Sequence, residues 1–282
     1  MDLDLLKVHP SKPGWANRVC HLLRTQGCAV VEDVLSEESI EEVRSTYEEV
    51  AVEMKAKIPH GNRGLYRYSF GMAQKTRQML HHRSVVVQLL NNSFVAEVIQ
   101  RYYGEGNVVV WGGAGELVCA QNHQFQKLHS DIAFDAGESY VSETTAPHIV
   151  ANFLLEDQAA DFGATRLLPG TFMRRCNYDL DDWETQDPWW QLAPLPRGAV
   201  ILRDSRCLHS GAPNYTDRDR ILPNVEFLHR DYAVETKSLE PCLPREFVPL
   251  LSQRVQAWVT EELILPDDAD LGVADEEEWG SD

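Results

Sequence analysis

After residue 106 the chain changes from helical periodicity to a series of short β-type runs, and this change constrains the fold most. The runs cover residues 107–111, 116–119, 148–155, 165–168, 198–203 and 224–229. Glycine or proline clusters separate them, as is typical of strands joined by turns. Because no helical segment alternates with the runs, a parallel βαβ sheet is disfavoured. Helices first and short strands afterwards predict a mainly β protein, with a jelly-roll core under a helical cover.

The segment before residue 106 predicts two helices. Ser36 is a suitable N-cap for a helix over residues 37–55, whose apolar residues recur at steps of three and four. This spacing indicates one buried face. A second helix covers residues 92–103, with Asn92 as its cap and Gly104 as its stop signal.

Three further segments complete the outline. Residues 28–31 are a short apolar strand candidate, and residues 59–71, rich in glycine, arginine and aromatic residues without a period, predict a loop. Residues 245–259 predict a C-terminal helix, in which Pro249 either introduces a kink or marks the start.

The net charge of −18 restricts the partners of the chain. Nucleic acids and anionic membrane surfaces require faces rich in lysine and arginine, so we expect no nucleic-acid partner. Part of the acidic excess lies in residues 266–282, which we expect to form a solvated, disordered tail. Residues 1–265 would then form a single domain.

The sequence also bears on location and redox state. It has no basic N-terminal region followed by a long apolar run, and no stretch approaches the roughly 20 apolar residues that span a bilayer. The six cysteines are scattered without a Cys-x-x-Cys pair. We therefore expect reduced core cysteines, no membrane insertion and a cytoplasmic location. Whether the chain forms a homodimer is left open.

The stretch Gln126-Lys-Leu-His-Ser-Asp131 contains the most informative polar pair, His129 and Asp131. Side chains two residues apart on a strand lie on one face, about 6.6 Å apart along the strand. A neutral imidazole and a carboxylate placed in this way can reach one metal ion. A third ligand from elsewhere would complete a facial triad with open positions, which suits non-haem iron(II).

The third ligand has two candidates. A second His-x-Asp match, at His229 and Asp231, is set aside because no histidine follows it. Two histidines lie between the matches. His148 stands in an apolar run and is more consistent with a core or edge residue, whereas His209 follows a predicted strand at a glycine-containing turn. A ligand could project inward from such a turn, so His209 is the stronger candidate.

Arg220 follows His209 by eleven residues, at the start of the predicted strand 221–228. The planar guanidinium of arginine matches a carboxylate bidentately, and such bonds contribute about 1.5–3 kcal/mol each. If Arg220 faces the same interior as the metal, it can anchor a dicarboxylate cosubstrate. The alternative is a surface arginine in a charged turn, which fits Arg218 better.

Four motifs together resemble the phytanoyl-CoA dioxygenase family of iron(II)- and 2-oxoglutarate-dependent oxygenases. They are His129-Ser-Asp131, Phe162-Gly-Ala-Thr-Arg-Leu-Leu-Pro-Gly-Thr171, Gly198-Ala-Val-Ile-Leu-Arg-Asp204, and the series His209, Asn214 and Arg220. The resemblance covers most of the chain and extends to the fungal natural-product enzymes of the family. Two positions depart from its pattern, since Phe162 stands where asparagine is usual and Phe172 where histidine is usual.

The resemblance implies a cupin-like, double-stranded β-helix core flanked by N- and C-terminal α-helices. It implies His129, Asp131 and His209 as the catalytic metal ligands of iron(II). It also implies that Arg220 binds the distal carboxylate of 2-oxoglutarate.

Two further positions match residues that commonly bind the cosubstrate in this family. They are Gln126 and Thr165, for which a strand-edge amide and a buried strand hydroxyl are the alternative interpretations. The family consumes 2-oxoglutarate and dioxygen, releases succinate and carbon dioxide, and uses ascorbate as a reductant in vitro. Its outcomes include hydroxylation, desaturation, rearrangement and endoperoxide formation. Related halogenases replace the metal-binding carboxylate with a small residue, so Asp131 implies oxygenation.

Three irregular segments are expected to cover the mouth of the barrel, namely residues 61–72, 132–145 and 174–191. Their aromatic residues and Met72 indicate a sizeable, largely apolar small molecule, which we interpret as a secondary-metabolite intermediate. We predict Tyr68, Met72 and Phe134 as pocket residues, although such side chains also pack loops onto sheets. Arg63 and Arg67 would contact either a polar group of the substrate or solvent.

Two alternative functions remain. One is a hydroxylase of a protein or a lipid-derived substrate. The other is a catalytically silent subunit that stabilises a partner oxygenase, and the complete set of His129, Asp131, His209 and Arg220 argues against it.

Overall fold

The structure is a computed structural model that describes residues 3–75, 78–132, 145–173 and 192–275. The strands in these ranges are β1 (Lys7–Val8), β2 (Cys28–Val31), β3 (Arg67–Ser69), β4 (Val108–Val118), β5 (His148–Phe153), β6 (Thr165–Leu167), β7 (Val200–Asp204), β8 (His209–Gly211) and β9 (Arg220–His229). The α-helices are α1 (Trp15–Gln26), α2 (Glu37–Lys57), α3 (Phe70–Ala73), α4 (Ser93–Tyr103), α5 (Arg230–Thr236) and α6 (Gln253–Gln256). A π-helix covers Val85–Leu90, and short 3-10 helices cover Leu3–Leu5, Thr171–Met173, Arg245–Leu250 and Glu261–Leu263.

A seven-stranded sheet with the order β1-β2-β7-β5-β9-β4-β3 forms the centre of the described structure. Its strand pairs are antiparallel except for β1 and β2. Strands β6 and β8 form a second, two-stranded sheet. The bridge between His129 and His209 adds a further segment to the smaller sheet. The prediction of a mainly β protein instead of a parallel βαβ sheet is confirmed, although β1, α1 and β2 form one parallel βαβ unit at the edge of the sheet.

Strand alternation gives the large sheet one apolar face and one polar face. The apolar face carries residues such as Ile149, Ala151 and Phe227, which lie in the main hydrophobic core together with residues of α1, α2 and α4. The opposite face carries a row of polar residues, which are Asn152, Arg203, Arg220, Asn224 and Glu226. Four of these, all except Glu226, are at most 8% exposed, so the polar face lies inside the protein.

Both predicted N-terminal helices are confirmed. Ser36 caps α2 by accepting a hydrogen bond from the backbone N–H of Ser39 at 3.1 Å. Asn92 caps α4 in the same way, through the backbone N–H groups of Phe94 and Val95. Helix α1, which precedes β2, was not predicted from the sequence.

Three predicted elements are corrected. The runs 107–111 and 116–119 belong to one strand, β4, which passes through three glycines and has an irregular register next to Gly112. The predicted loop 59–71 contains β3 and the start of α3. The predicted C-terminal helix is instead a 3-10 helix that contains Pro249, followed by the separate short helix α6. Proline has no N–H group and cannot continue an α-helical hydrogen-bond ladder.

The predicted disordered tail is corrected for residues 266–275. Val273 is buried and forms a backbone bridge with Gln74. Lys75 contacts Asp270 at 2.7 Å, and Lys57 contacts Asp275 at 3.4 Å. These contacts hold the segment against the protein, whereas residues 276–282 lie outside the described ranges.

The cysteines follow the predicted pattern as far as the structure describes them. Cys20, Cys28, Cys207 and Cys242 are buried, Cys119 is half-buried, and all five are free thiols. Cys176 falls in a range that is not described. Among the helices of the described ranges, none combines the length and apolarity that crossing a membrane requires.

Candidate metal and cosubstrate site

His129, Asp131 and His209 converge between the two sheets. Each offers one ligand atom, and the three atoms lie within 4.8 Å of one another. His129 and His209 are paired through the backbone, since each N–H donates to the carbonyl of the other at 3.0 and 2.8 Å. The backbone N–H of Asp131 donates to the carbonyl of Ser205 at 2.9 Å, which holds Asp131 against the turn between β7 and β8.

Backbone carbonyls orient both imidazole rings. Nδ1 of His129 lies 2.8 Å from the carbonyl oxygen of Lys127, and Nδ1 of His209 lies 2.9 Å from that of Cys207. These contacts assign the proton to Nδ1 and leave an acceptor at each Nε2. The two Nε2 atoms lie 3.6 and 3.4 Å from Oδ1 of Asp131.

The three converging atoms are therefore all acceptors, an arrangement that a cation satisfies. Burial and the neighbouring His209 lower the pKa of His129, which favours the neutral imidazole that binds a metal. Two neutral imidazoles and one carboxylate fit iron(II) and leave coordination positions open. The same donor types also fit zinc.

Arg203 holds the second oxygen of Asp131. Its Nη1 lies 2.7 Å from Oδ2 of Asp131. Burial opposes ionisation of this carboxyl, but Arg203 and then His209 outweigh it and hold the pKa of Asp131 well below its usual range. Asp131 therefore offers an ionised carboxylate to the metal position.

Arg220 is buried on the same interior face of the large sheet. Its Nε and Nη2 donate to the carbonyl oxygen of Gly163 at 3.0 and 2.6 Å, while its Nη1 is buried without a hydrogen-bond partner in the described structure. Burial lowers the pKa of Arg220 to about 10, so the guanidinium stays charged at neutral pH. A buried cation with an open N–H fits a carboxylate ligand.

The two residues predicted beside the cosubstrate lie on either side of Gly211. Thr165 is buried and pairs with Gly211 across β6 and β8, so its side chain lies on the same face as that of His209. The side-chain oxygen of Gln126 accepts a hydrogen bond from the backbone N–H of Gly211 at 2.9 Å. This hydrogen bond fixes the amide group of Gln126 next to β8, the strand that begins at His209.

Arg67 occupies the space that Gly211 leaves open. A Cβ atom built on Gly211 would come within 2.5 Å of Nη1 of Arg67. Nη2 of Arg67 donates to the carbonyls of Gln124 and Ala212, both at 2.7 Å, and its buried Nε has no partner among the described residues. Arg67 is only 5% exposed, so its guanidinium does not face solvent, and its contact with a polar group of the substrate stays a prediction.

Glu116 adds a negative charge to this interior. It lies on β4 opposite Leu222 of β9 and Ser69 of β3. Burial raises its pKa, but Arg220 and Arg67 outweigh that effect, and the net pKa is lowered. This face of the sheet therefore carries the positive charges of Arg67 and Arg220 and the negative charge of Glu116, and is not purely apolar.

The structure does not bring all predicted pocket residues to this site. Tyr68 alternates with Arg67 on β3 and is buried in the main hydrophobic core, so its side chain lies on the opposite face of the sheet. Met72 is 37% exposed on α3. Phe134 lies outside the described residues, as do most of the predicted covering segments 132–145 and 174–191.

Sequence reasoning missed Arg203, Glu116 and Glu226. Each is an ionisable residue in a strand whose other residues are mostly apolar, which is a signal that the sequence contains. Which face each one occupies depends on strand pairing, and pairing is not readable from one sequence.

Comparison with known proteins supplies the family context. A family model described as phytanoyl-CoA dioxygenase (PhyH) matches residues 23–222. Dioxygenase sphC of Aspergillus fumigatus is 24% identical over 247 residues, which cover 84% of this chain and 65% of that protein. The chain thus spans about two thirds of the length of this relative.

Solved structures share the fold. AviO1 from Streptomyces viridochromogenes Tue57 superposes with a TM-score of 0.56 at 17% identity, covering 76% of this chain and 94% of its own. SnoN, a non-haem α-ketoglutarate-dependent epimerase from nogalamycin biosynthesis, has a TM-score of 0.57 at 16% identity, with coverage of 77% and 82%. At these identities the likeness concerns the fold, and it confirms the predicted jelly-roll core with helical cover.

Proposed function

Because the chain belongs to the phytanoyl-CoA dioxygenase family, we propose that it oxidises an unactivated C–H bond of a small organic molecule. The family agrees with the resemblance predicted from the motifs, and with the predicted class of non-haem iron oxygenase that uses 2-oxoglutarate. In this reaction 2-oxoglutarate and dioxygen are consumed, and succinate and carbon dioxide are released.

The observation that carries the proposal is the convergence of three acceptor atoms, from His129, Asp131 and the buried His209, while Arg220 is buried on the polar face of the large sheet. His129, Asp131 and His209 would hold iron(II). The bound metal would supply the redox chemistry and the site for dioxygen.

The residues of the chain bind and orient the reactants. Nη1 of Arg220 would donate to the distal carboxylate of 2-oxoglutarate, and Thr165 and Gln126, which lie on either side of Gly211, would contact the same molecule. Arg67 provides a second cationic contact beside Gly211. Because Arg67 and Arg220 are almost completely buried, a bound carboxylate is shielded from water, and its bonds to them are stronger than in solvent.

The proposed substrate class is a small natural-product intermediate. The epimerase SnoN of nogalamycin biosynthesis supports this class by analogy, and Dioxygenase sphC supports the oxidative reaction. Asp131 supports oxygenation over halogenation, since its carboxylate occupies the position that a halide would need.

The proposal is tested by following succinate formation from 2-oxoglutarate with purified protein, iron(II) and ascorbate. We expect slow turnover without the organic substrate, and we expect His209→Ala to abolish it. His123, which is exposed and whose ring contacts Gln121 and Tyr215, provides the matched control in His123→Ala.

Zinc provides a second arm of the same experiment. Zinc binds nitrogen and oxygen ligands more tightly than iron(II) but is redox-inactive, so added zinc should inhibit. Restoration of activity by zinc, or turnover that is independent of dioxygen, would contradict the proposed function.

A further inference from the structure

We propose that Arg203 is a positioning residue that restricts Asp131 to a one-oxygen ligand of the metal. The inference rests on the proposed function for its biological meaning. The distances that support it are all between residues of this chain. Asp131 contributes the carboxylate, Arg203 binds one of its oxygens, and the two imidazoles face the other.

The two oxygens of Asp131 have different surroundings. Oδ1 faces Nε2 of both metal-binding histidines, at 3.6 and 3.4 Å. Oδ2 accepts a hydrogen bond from Nη1 of Arg203 at 2.7 Å. A carboxylate with one oxygen already committed to a guanidinium has one oxygen left for a metal ion. Monodentate binding leaves one more position for the cosubstrate or dioxygen than bidentate binding does.

Arg203 is fixed by its place in the sheet. It lies on β7 between β2 and β5, opposite Cys28 and Val150. It is only 8% exposed, and its Nη1 also lies 3.5 Å from Nδ1 of His209. A guanidinium carried by a strand with neighbours on both sides is a rigid support for a carboxylate that itself lies on a loop.

Other charged groups on the same face balance Arg203. Val150 pairs with both Arg203 and Glu226, which places these two residues on either side of it with their side chains on one face. Glu226 and Glu116 are the further acidic groups whose charge acts on Arg203. Nε2 of His148 lies 3.0 Å from Glu226, and Nδ1 of His148 lies 2.7 Å from the hydroxyl of Ser205. His148, the weaker of the two candidates for the third ligand, thus contacts Glu226 and Ser205 on this face.

The arginine contact fixes the direction of Oδ1, because rotation of the carboxylate would break the bond to Oδ2. Removal of a residue that orients a metal ligand typically weakens metal binding by about 10- to 100-fold.

The test is an anaerobic cobalt(II) titration of metal-free protein, followed by visible absorption, with Arg203→Met and Arg203→Lys. Cobalt(II) absorption reports coordination number and does not depend on turnover. We expect Arg203→Met to bind cobalt(II) about 10- to 100-fold more weakly and with an altered spectrum. Arg203→Lys, which keeps a charged donor, should retain more affinity than Arg203→Met.

Arg206 provides the matched control. It is also buried and forms a bidentate-type pair with Asp204, but Asp204 is not a metal ligand. Arg206→Met should leave the cobalt(II) spectrum unchanged, whatever it does to thermal stability. If Arg203→Met does not fold, Arg203→Gln replaces it as the uncharged variant.

Unchanged cobalt(II) affinity and spectrum in Arg203→Met, or an equal loss in Arg206→Met, would overturn the inference. The outcome is separable from that of the proposed function. A wild-type protein that forms no succinate but loses cobalt(II) affinity on Arg203→Met contradicts only the function. A protein that forms succinate and binds cobalt(II) normally without Arg203 contradicts only the positioning role.

Discussion

His129 and His209 face each other across an antiparallel backbone bridge, with N–H···O distances of 3.0 and 2.8 Å in the two directions. Residues directly opposite each other in such a bridge carry their side chains on the same face. Two imidazoles that are far apart in the sequence are thus brought together by main-chain hydrogen bonds. Their ring centroids lie 4.4 Å apart. The relative position of the two imidazoles therefore depends on strand pairing.

Replacement of Arg220 should impair cosubstrate binding selectively. Arg220→Leu removes the buried guanidinium whose Nη1 has no hydrogen-bond partner among the described residues, and each lost charge-assisted bond costs about 1.5–3 kcal/mol. We expect the KM for 2-oxoglutarate to rise by about 10- to 100-fold. The KM for 2-oxobutanoate, which lacks the distal carboxylate, should change little.

The control for this prediction is Arg218→Leu, because the side chain of Arg218 is 62% exposed in the preceding turn. It should leave both KM values near those of the wild type. An equal effect of Arg220→Leu on the two keto acids would show that Arg220 does not bind the distal carboxylate.

Gly211→Ala should displace Arg67. The added methyl group would lie 2.5 Å from Nη1 of Arg67, and overpacking of this kind typically costs about 1–3 kcal/mol. We expect a lower free energy of unfolding and weaker anaerobic binding of 2-oxoglutarate, measured by calorimetry. Gly272→Ala, where the nearest atom would lie 3.4 Å away, is the control. Wild-type stability and affinity in Gly211→Ala would show that Arg67 is not confined by this contact.

Asp131→Gly should create an anion site beside Arg203. The substitution removes the carboxylate that we propose as a metal ligand and leaves Nη1 of Arg203 without its 2.7 Å acceptor. We expect succinate formation to be lost and then partly restored by added formate, which replaces the missing carboxylate. The double variant Asp131→Gly/Arg203→Met should not respond to formate. A response that does not require Arg203 would mean that formate acts elsewhere.

The metal-free protein should lose stability in acid partly through His81. Burial, and then the neighbouring His82, lower the pKa of His81 from 6.5 to about 3. The unfolded chain therefore binds one more proton than the folded protein between these pH values. Stability should fall as the pH falls from about 6.5 towards 3, by up to about 1.4 kcal/mol per pH unit for this group.

Chemical denaturation across this pH range measures the effect. His81→Gln should show a shallower loss of unfolding free energy than the wild type, whereas His21→Gln, at an exposed position of α1, should follow the wild type. Parallel slopes for His81→Gln and the wild type would contradict the assignment to His81.

The parts of the site that depend on local spacing could be predicted from the sequence. His129 and Asp131 are two residues apart, and His209 and Arg220 follow at positions that a motif can define. The helices α2 and α4 were predictable for a similar reason, since caps and apolar periodicity are local. The roles of His129, Asp131 and His209 as metal ligands stay predictions until metal binding is measured. The role of Arg220 stays a prediction until cosubstrate binding is measured.

The parts that depend on strand pairing could not be predicted. Arg67 and Tyr68 are neighbours in the sequence, yet β3 directs one towards Gly211 and the other into the apolar core. Arg203 follows an apolar run, and only the register of β7 with β5 shows that it lies on the polar face. Single-residue shifts in register exchange the two faces of a strand, so a sequence without a defined pairing leaves such assignments open.

The bridge between Gln74 and Val273 has a consequence for how this protein responds to dissolved salt. Gln74 follows β3 and α3, so the segment 266–275 braces the chain just beyond Arg67. The two ion pairs that accompany the bridge, Lys57 with Asp275 and Lys75 with Asp270, are largely exposed on their acidic sides. Dissolved salt weakens exposed pairs of this kind and leaves buried backbone contacts intact. Ionic strength should therefore change how firmly the segment 266–275 holds the chain next to β3 and α3, without any ion binding at the candidate metal site.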